Sequence, residues 1–201
     1  QIILSNMSLD DTLGLCKEAG YEAIELVFRD KKDLDASMSA SEIQGVGERC
    51  EAAGVEISSV IASYGDRGSL LSLDAAERER GIKSLARNLE IAGILGVGGI
   101  LLHPGQLTVE DTYQTVWDNL VGILKDLAPV AASNKAAIGI ENVWNKFLLS
   151  PKEMREFVDA VGSEWVGTYL DTANMMAYGY PEHWIRELGS RIKRVHFKDF
   201  K

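Results

Sequence analysis

The chain has 201 residues, 46% of them hydrophobic and 25% charged, and this composition excludes wholesale disorder. Its 30 acidic and 21 basic residues leave a formal net charge of −9, which argues against a nucleic-acid partner because phosphate binding needs a surface rich in lysine and arginine. No apolar run is long enough to predict a membrane span, and the N-terminal residues show no signal-peptide pattern. The two cysteines, Cys16 and Cys50, form neither a disulfide framework nor a zinc-binding spacing. We therefore expect a cytoplasmic location.

Short apolar runs alternate with amphipathic helical patterns along the chain. The predicted strands are Ile2 to Leu4, Ala23 to Phe28, Val55 to Ala62, Val97 to Leu102, Ala136 to Ile140, Val166 to Leu170 and Ile192 to Phe197. Several of these runs are apolar almost throughout, which is typical of strands buried on both faces of a sheet. Strict alternation of strand and helix predicts parallel strands joined by crossover helices. Since no linker divides the chain, we expect a single domain over residues 1–201.

Residue types at the predicted helix ends agree with this alternation. An N-cap residue is followed three positions later by glutamate in three capping-box patterns, and two further positions suit an N-cap. A glycine lies between each of four predicted helices and the strand that follows it. Glycine suits this position because it tolerates the left-handed conformation of a helix C-cap. The capping boxes begin at Ser39, Asp74 and Ser150, the other N-caps are Ser8 and Thr108, and the glycines are Gly20, Gly54, Gly96 and Gly162.

Two architectures fit the alternation, an open doubly wound sheet and a (β/α)8 TIM barrel. The glycine cluster from Gly96 to Gly99 precedes a predicted strand instead of following one, so it does not fit a dinucleotide-binding turn. A TIM barrel usually needs about 250 residues. This sequence ends just after its seventh predicted strand, so a barrel would lack the eighth β/α unit.

Side chains that bind metals follow three successive predicted strands. Glu141, Asp171 and His196 each lie at the carboxyl end of a strand, and their spacings of 171 − 141 = 30 and 196 − 171 = 25 residues each correspond to one β/α unit. In a barrel such side chains converge on the axis, whereas in a flat sheet they diverge, so the pattern favours the barrel. Two carboxylates and one imidazole suit Mn²⁺, Mg²⁺, Co²⁺ or Zn²⁺ and leave positions open for substrate oxygens.

Three segments around these residues resemble the sugar phosphate isomerase/epimerase group of the xylose isomerase-like TIM barrel superfamily. They are Ile140 to Pro151, Leu170-Asp-Thr-Ala-Asn174 and Arg191 to Asp199. The resemblance implies that Glu141 is a metal ligand and a catalytic acid/base, that Asp171 and His196 are metal ligands, and that the protein acts in carbohydrate metabolism, as a homodimer by analogy. The fourth ligand of the family, a strand-eight glutamate that is also its second acid/base, has no counterpart in this sequence.

Four further residues are candidate substrate contacts. His103 could hydrogen-bond a sugar hydroxyl, and Trp144 could stack on the apolar face of a sugar. Lys198 could meet a substrate oxygen or phosphate, or pair with Asp199 or Asp171. Asn174 stands where the resembling keto-sugar epimerases carry a histidine, so their substrate specificity does not transfer.

The function predicted from these residues is that of a divalent-metal-dependent isomerase or epimerase. Its small-molecule substrate would be a sugar or sugar phosphate, and the reaction would transfer a proton through a metal-stabilised enediolate. Two alternatives stay open at this point. One is a metal-dependent polyol dehydratase of the same superfamily, and the other is a non-catalytic barrel that binds carbohydrate.

Overall fold

The computed structural model describes residues 4–29, 33–62 and 68–199. Within these residues six parallel strands alternate with six α-helices, and a short 3-10 helix at Gly189–Arg191 precedes the last strand. The helices are α1 (Leu9–Glu18), α2 (Ala40–Ala53), α3 (Ala75–Ile94), α4 (Tyr113–Ser133), α5 (Pro151–Val161) and α6 (Pro181–Leu188). The strands are β1 (Ala23–Val27), β2 (Glu56–Ile61), β3 (Gly99–Leu102), β4 (Ala137–Glu141), β5 (Val166–Asp171) and β6 (Ile192–His196).

Six of the seven predicted strands are confirmed, and the first is not. Residues 2 and 3 of that prediction lie outside the described residues, and Leu4 belongs to a turn in which its carbonyl accepts a hydrogen bond from the Met7 amide at 3.0 Å. The N-cap predicted at Thr108 is also wrong. The Thr108 amide donates to the Asp111 carboxylate at 2.6 Å and closes a turn, so α4 begins four residues later, after Thr112.

The sheet is curled, with the strands in chain order from β1 to β6. In a flat sheet the outer two of six strands would lie roughly 24 Å apart, because neighbouring strands are about 4.8 Å apart. Here Glu25 on β1 and His196 on β6 meet at 3.1 Å across the concave face. The architecture is therefore the barrel type, and the open doubly wound sheet is excluded.

Alternate residues of the strands form two separate apolar cores. The outward-facing side chains pack against the helices in one large cluster, to which Leu26, Val60, Ile100 and Leu170 belong. The inward-facing side chains form a small second cluster of Val27, Ile61, Leu101 and Tyr169. This division follows from the two-residue period of a strand.

A glycine on the concave face makes room for the Tyr169 side chain. A Cβ atom at Gly139, on the adjacent strand, would lie 3.0 Å from the Tyr169 Cβ and 3.2 Å from its Cδ2. Such distances are closer than side chains normally approach.

Of the helices in the described ranges, none is both long enough and apolar enough to cross a membrane.

Candidate metal centre

Three ligand-type side chains meet at the carboxyl edge of the curled sheet. Glu141 is the last residue of β4, Asp171 ends β5, and His196 ends β6 opposite Asp171 in the ladder. One potential ligand atom of each residue lies within 4.8 Å of the other two. His196 Nδ1 is 3.8 Å from Glu141 Oε1 and 4.0 Å from Asp171 Oδ2. The strand spacing thus brings together the three residues that the sequence singled out.

The Asp171 carboxylate is held in place by the turn that follows β5. Its Oδ1 accepts hydrogen bonds from the amides of Ala173 at 2.9 Å and Asn174 at 2.8 Å. This is the arrangement that an aspartate forms readily at the start of a turn. Its Oδ2 is buried and accepts no well-formed hydrogen bond within the described residues, although the Lys198 ammonium lies 2.8 Å away. One carboxylate oxygen is therefore fixed by the backbone, and the other faces a cation.

Two asparagines connect the ends of β4 and β5. Asn142 Oδ1 accepts from the Asp171 amide at 2.7 Å, and Asn142 Nδ2 donates to the Asp171 carbonyl at 2.8 Å. Asn174 Nδ2 donates to the Asn142 carbonyl at 2.9 Å and lies 3.5 Å from Glu141 Oε1. Asn174 is only 6% exposed. Its amide therefore orients the Glu141 carboxylate from inside the protein.

His196 lies between two groups of carboxylates, and its pKa reflects both. Burial by itself lowers the pKa of His196, but Glu141 on the Nδ1 side and the hydrogen-bonded Glu25 on the Nε2 side outweigh burial and raise the pKa to about 9. Burial likewise raises the pKa of Glu25, but hydrogen bonds from His196, Ser59 and Tyr169 outweigh this effect and hold it below its ordinary value. In the absence of a metal ion the imidazole therefore stays protonated at neutral pH.

The candidate substrate contacts surround this cluster at different depths. His103 is half-buried just beyond β3, where burial lowers its pKa against the opposing effect of the Glu141 charge. Trp144 is 59% exposed, and its Nε1 donates to the Asn174 carbonyl at 2.7 Å. The Lys198 side chain is half-exposed and forms the ion pair with Asp171 that was one of its two predicted roles.

The residues present fit a divalent cation. Two carboxylates and an imidazole supply the oxygen and nitrogen donors that Mn²⁺, Co²⁺, Zn²⁺ and Mg²⁺ accept. The fit is supported by Asp171 Oδ2, a buried carboxylate oxygen that lacks a well-formed hydrogen bond among the described residues and has an ammonium group as its nearest cation. A buried charge in this position needs a positive partner.

Sequence reasoning gave no role to Ser59, Tyr169 or Asn142. Each carries a signal that is readable afterwards: Ser59 interrupts an apolar strand, Tyr169 precedes Asp171 by two residues and so shares its face of β5, and Asn142 directly follows Glu141. None of these signals names a hydrogen-bond partner. The partners depend on the curl of the sheet.

Comparisons with known proteins agree with this geometry. A family model described as "Xylose isomerase-like TIM barrel" matches residues 13–201. An L-ribulose 3-epimerase of Mesorhizobium japonicum is 28% identical over 83% of this chain, which spans 56% of that protein's length. SgbU of Escherichia coli (strain K12), provisionally named an L-ribulose-5-phosphate 3-epimerase, is 24% identical to this chain. That match covers 98% of this chain and 70% of the length of SgbU. The structure of a D-tagatose 3-epimerase-like protein superimposes with a TM-score of 0.81 at 22% identity, covering 96% of this chain and 73% of the other.

Proposed function

The chain belongs to the xylose isomerase-like TIM barrel family, and from this premise we propose that the protein is a divalent-metal-dependent epimerase of a sugar or sugar phosphate. The observation that carries the proposal is the convergence of Glu141, Asp171 and His196 within 4.8 Å at the mouth of the curled sheet, where barrel enzymes hold their active sites. The names of the relatives favour epimerisation over aldose–ketose isomerisation, and they include both a free and a phosphorylated sugar.

In this proposal Glu141, Asp171 and His196 hold the ion, and Glu141 also moves the proton. A bound divalent ion supplies Lewis-acid polarisation of a carbonyl. Glu141 takes a proton from the carbon beside the carbonyl and so acts as a general base, which requires a carboxylate held in one orientation. Inversion at that carbon further requires a second acid that returns a proton to the opposite face, the part that the resemblance gives to a strand-eight glutamate. The Asn174 amide, 3.5 Å from Glu141 Oε1, provides that orientation. Burial of Glu141 and Asp171 keeps competing water away from the proton.

The residues at the rim are proposed to hold the substrate. The Trp144 ring is exposed while its N–H is fixed on the Asn174 carbonyl, so its face is presented in one direction and suits the apolar face of a sugar. The Lys198 ammonium, anchored by Asp171, is placed for a substrate oxygen or phosphate. His103 is proposed as a hydrogen-bond partner for a sugar hydroxyl.

The test is proton exchange in heavy water. The protein is loaded with Mn²⁺ and incubated with a panel of ketopentoses and ketohexoses, each free and phosphorylated, and deuterium at the carbon beside the carbonyl is followed by NMR. We expect exchange with at least one substrate, because removal and return of the proton by Glu141 need no second acid, whereas formation of the epimer requires one. Glu141→Gln should slow exchange by about 10²- to 10⁴-fold, the usual contribution of a general base.

The matched control is Glu153→Gln, which makes the same carboxylate-to-amide change on α5. Glu153 accepts hydrogen bonds from Tyr113 and from the Leu149 amide instead of from site residues. We expect this variant to exchange at the wild-type rate. Wild-type turnover by Glu141→Gln, or absence of exchange with every ketose of the panel, would overturn the proposed function.

A further inference from the structure

The second ring nitrogen of His196 points away from the ligand cluster and into the barrel. There it meets three polar side chains, which we call the inner network: Glu25 on β1, Ser59 on β2 and Tyr169 on β5. Glu25 Oε2 lies 3.1 Å from His196 Nε2, and Glu25 Oε1 accepts from the Tyr169 hydroxyl at 2.8 Å and from the Ser59 hydroxyl. Ser59 and Tyr169 are themselves 3.1 Å apart. None of these three residues has a place in the reaction proposed above.

The inner network divides the two oxygens of Glu25 between different donors. Both hydroxyls donate to Oε1, and the imidazole contacts Oε2. The Tyr169 hydroxyl donates to Oε1 at 2.8 Å, since a carboxylate oxygen can only accept. The Glu25 side chain is only 15% exposed, and Ser59 is fully buried. The Ser59 and Tyr169 hydroxyls therefore fix the orientation of the Glu25 carboxylate that contacts His196.

An ionised carboxylate can only accept hydrogen bonds, so the contact to Glu25 requires a proton on Nε2 of His196. A neutral imidazole with its proton on Nε2 has its lone pair on Nδ1. That atom is the one that faces Glu141 Oε1 and Asp171 Oδ2. A ligating histidine commonly donates its other N–H to a carboxylate, which sets the tautomer and the ring orientation.

We propose that Glu25, anchored by Ser59 and Tyr169, is a positioning residue that holds His196 in the tautomer and orientation in which Nδ1 binds the divalent cation. The inference rests on the metal site of the proposed function and adds to it a residue from the other edge strand of the sheet. Glu25 is 171 residues from His196 in the sequence. It contributes to metal affinity without contacting the ion or the substrate.

The experiment measures Mn²⁺ affinity by calorimetry in the wild-type protein and three variants. Glu25→Gln keeps the size of the side chain but leaves one acceptor oxygen for three donors. We expect it to weaken Mn²⁺ binding by about 10- to 100-fold, the usual effect of losing such a carboxylate. Tyr169→Phe removes one anchor and leaves the carboxylate, so we expect a loss of less than about 10-fold.

Glu153→Gln again serves as the control, because Glu153 also accepts from a tyrosine hydroxyl, that of Tyr113 at 2.6 Å. We expect its Mn²⁺ affinity to stay within about twofold of the wild-type value, since well-separated sites act independently. A second readout is the ¹⁵N NMR spectrum of the Zn²⁺-loaded protein. The His196 ring should carry its proton on Nε2 in the wild type and lose this single tautomer in Glu25→Gln.

The outcomes separate this inference from the proposed function. Equal Mn²⁺ affinity of the wild type and Glu25→Gln, or a proton on Nδ1 of His196 in the loaded wild type, would overturn the role of Glu25 and leave the epimerase proposal standing. Mn²⁺ binding that depends on Glu25 in a protein that exchanges no sugar proton would support the inference and overturn the proposed function. Absence of Mn²⁺ binding in the wild type would overturn both.

Discussion

Protonation of His196 should make the metal-free protein more stable in acid than in mild base. The ordinary pKa of 6.5 rises to about 9 in the folded state because Glu141 and Glu25 outweigh the effect of burial. A group whose pKa is raised by folding stabilises the folded state fully below its unfolded pKa, and this stabilisation disappears as the pH passes the folded pKa. We therefore expect the contribution to be complete below about pH 6.5 and lost above about pH 9.

The size of the effect follows from the interval between the two pKa values. At about 1.36 kcal/mol per pH unit, an interval of roughly 2.5 units corresponds to at most about 3.4 kcal/mol. The His196 side chain is 31% exposed, and solvent screening reduces the expected contribution to about 2 kcal/mol.

The measurement is urea unfolding of the wild type and His196→Gln, both freed of metal with EDTA, at about pH 6 and about pH 9.5. We expect the free energy of unfolding of the wild type to fall between the two conditions by about 2 kcal/mol more than that of His196→Gln. Comparing the two proteins removes the contribution of every other titrating group. The same decrease in both proteins would refute the assignment of the pH dependence to His196.

Two further substitutions test the surroundings of the site. Lys198→Met removes the ammonium that competes for Asp171 Oδ2, so calorimetry should find Mn²⁺ binding tighter by about twofold to fivefold, as expected for a half-exposed ion pair worth up to about 1 kcal/mol. Weaker binding would contradict this competition. Gly139→Ala places a methyl group 3.0 Å from the Tyr169 Cβ, so urea unfolding should detect a loss of about 1–3 kcal/mol. The control Gly122→Ala, on α4 with open space around the added Cβ, should instead raise stability by about 0.5–1 kcal/mol.

Much of the fold could be predicted because its signals are local. The alternation of apolar runs with capped helices gave six of the strands, and Ser39 forms the full capping box that its spacing to Glu42 predicts. The failure at Thr108 is also local, since a threonine before acidic residues is compatible with either a turn or a helix start. The Asp111 side chain decided the matter in favour of the turn.

The ligand cluster was predictable for a different reason. Glu141, Asp171 and His196 each end a strand, and parallel strands in sequence order bring their carboxyl ends to one edge whatever the details of packing. The inner network does not follow from such a rule. Ser59 and Tyr169 are 110 residues apart, and their contact with Glu25 depends on how tightly the sheet curls, which no periodicity in the sequence specifies.

The concave face of the sheet has an apolar part and a polar part, and the two meet at Tyr169. The apolar part consists of Val27, Ile61 and Leu101 against the ring of Tyr169. The hydroxyl of that same tyrosine contacts Glu25, and Glu25 contacts His196. The orientation of His196 that we propose therefore depends on packing inside the barrel, where a change of one methylene is felt.

The rim residues lie in a different structural setting. Trp144 belongs to the segment after β4, and His103 to the segment after β3, and such connecting segments vary more readily than strands. In the proposed function the strands and their packed interior thus hold the metal ligands, and the loops hold the residues that contact the substrate. This separation accounts for a chain that shares its ligand set with ketose epimerases in the resemblance described above but has Asn174 where they place a histidine. The substrate of this protein is therefore to be sought by varying the sugar in the assay while the metal site is kept intact.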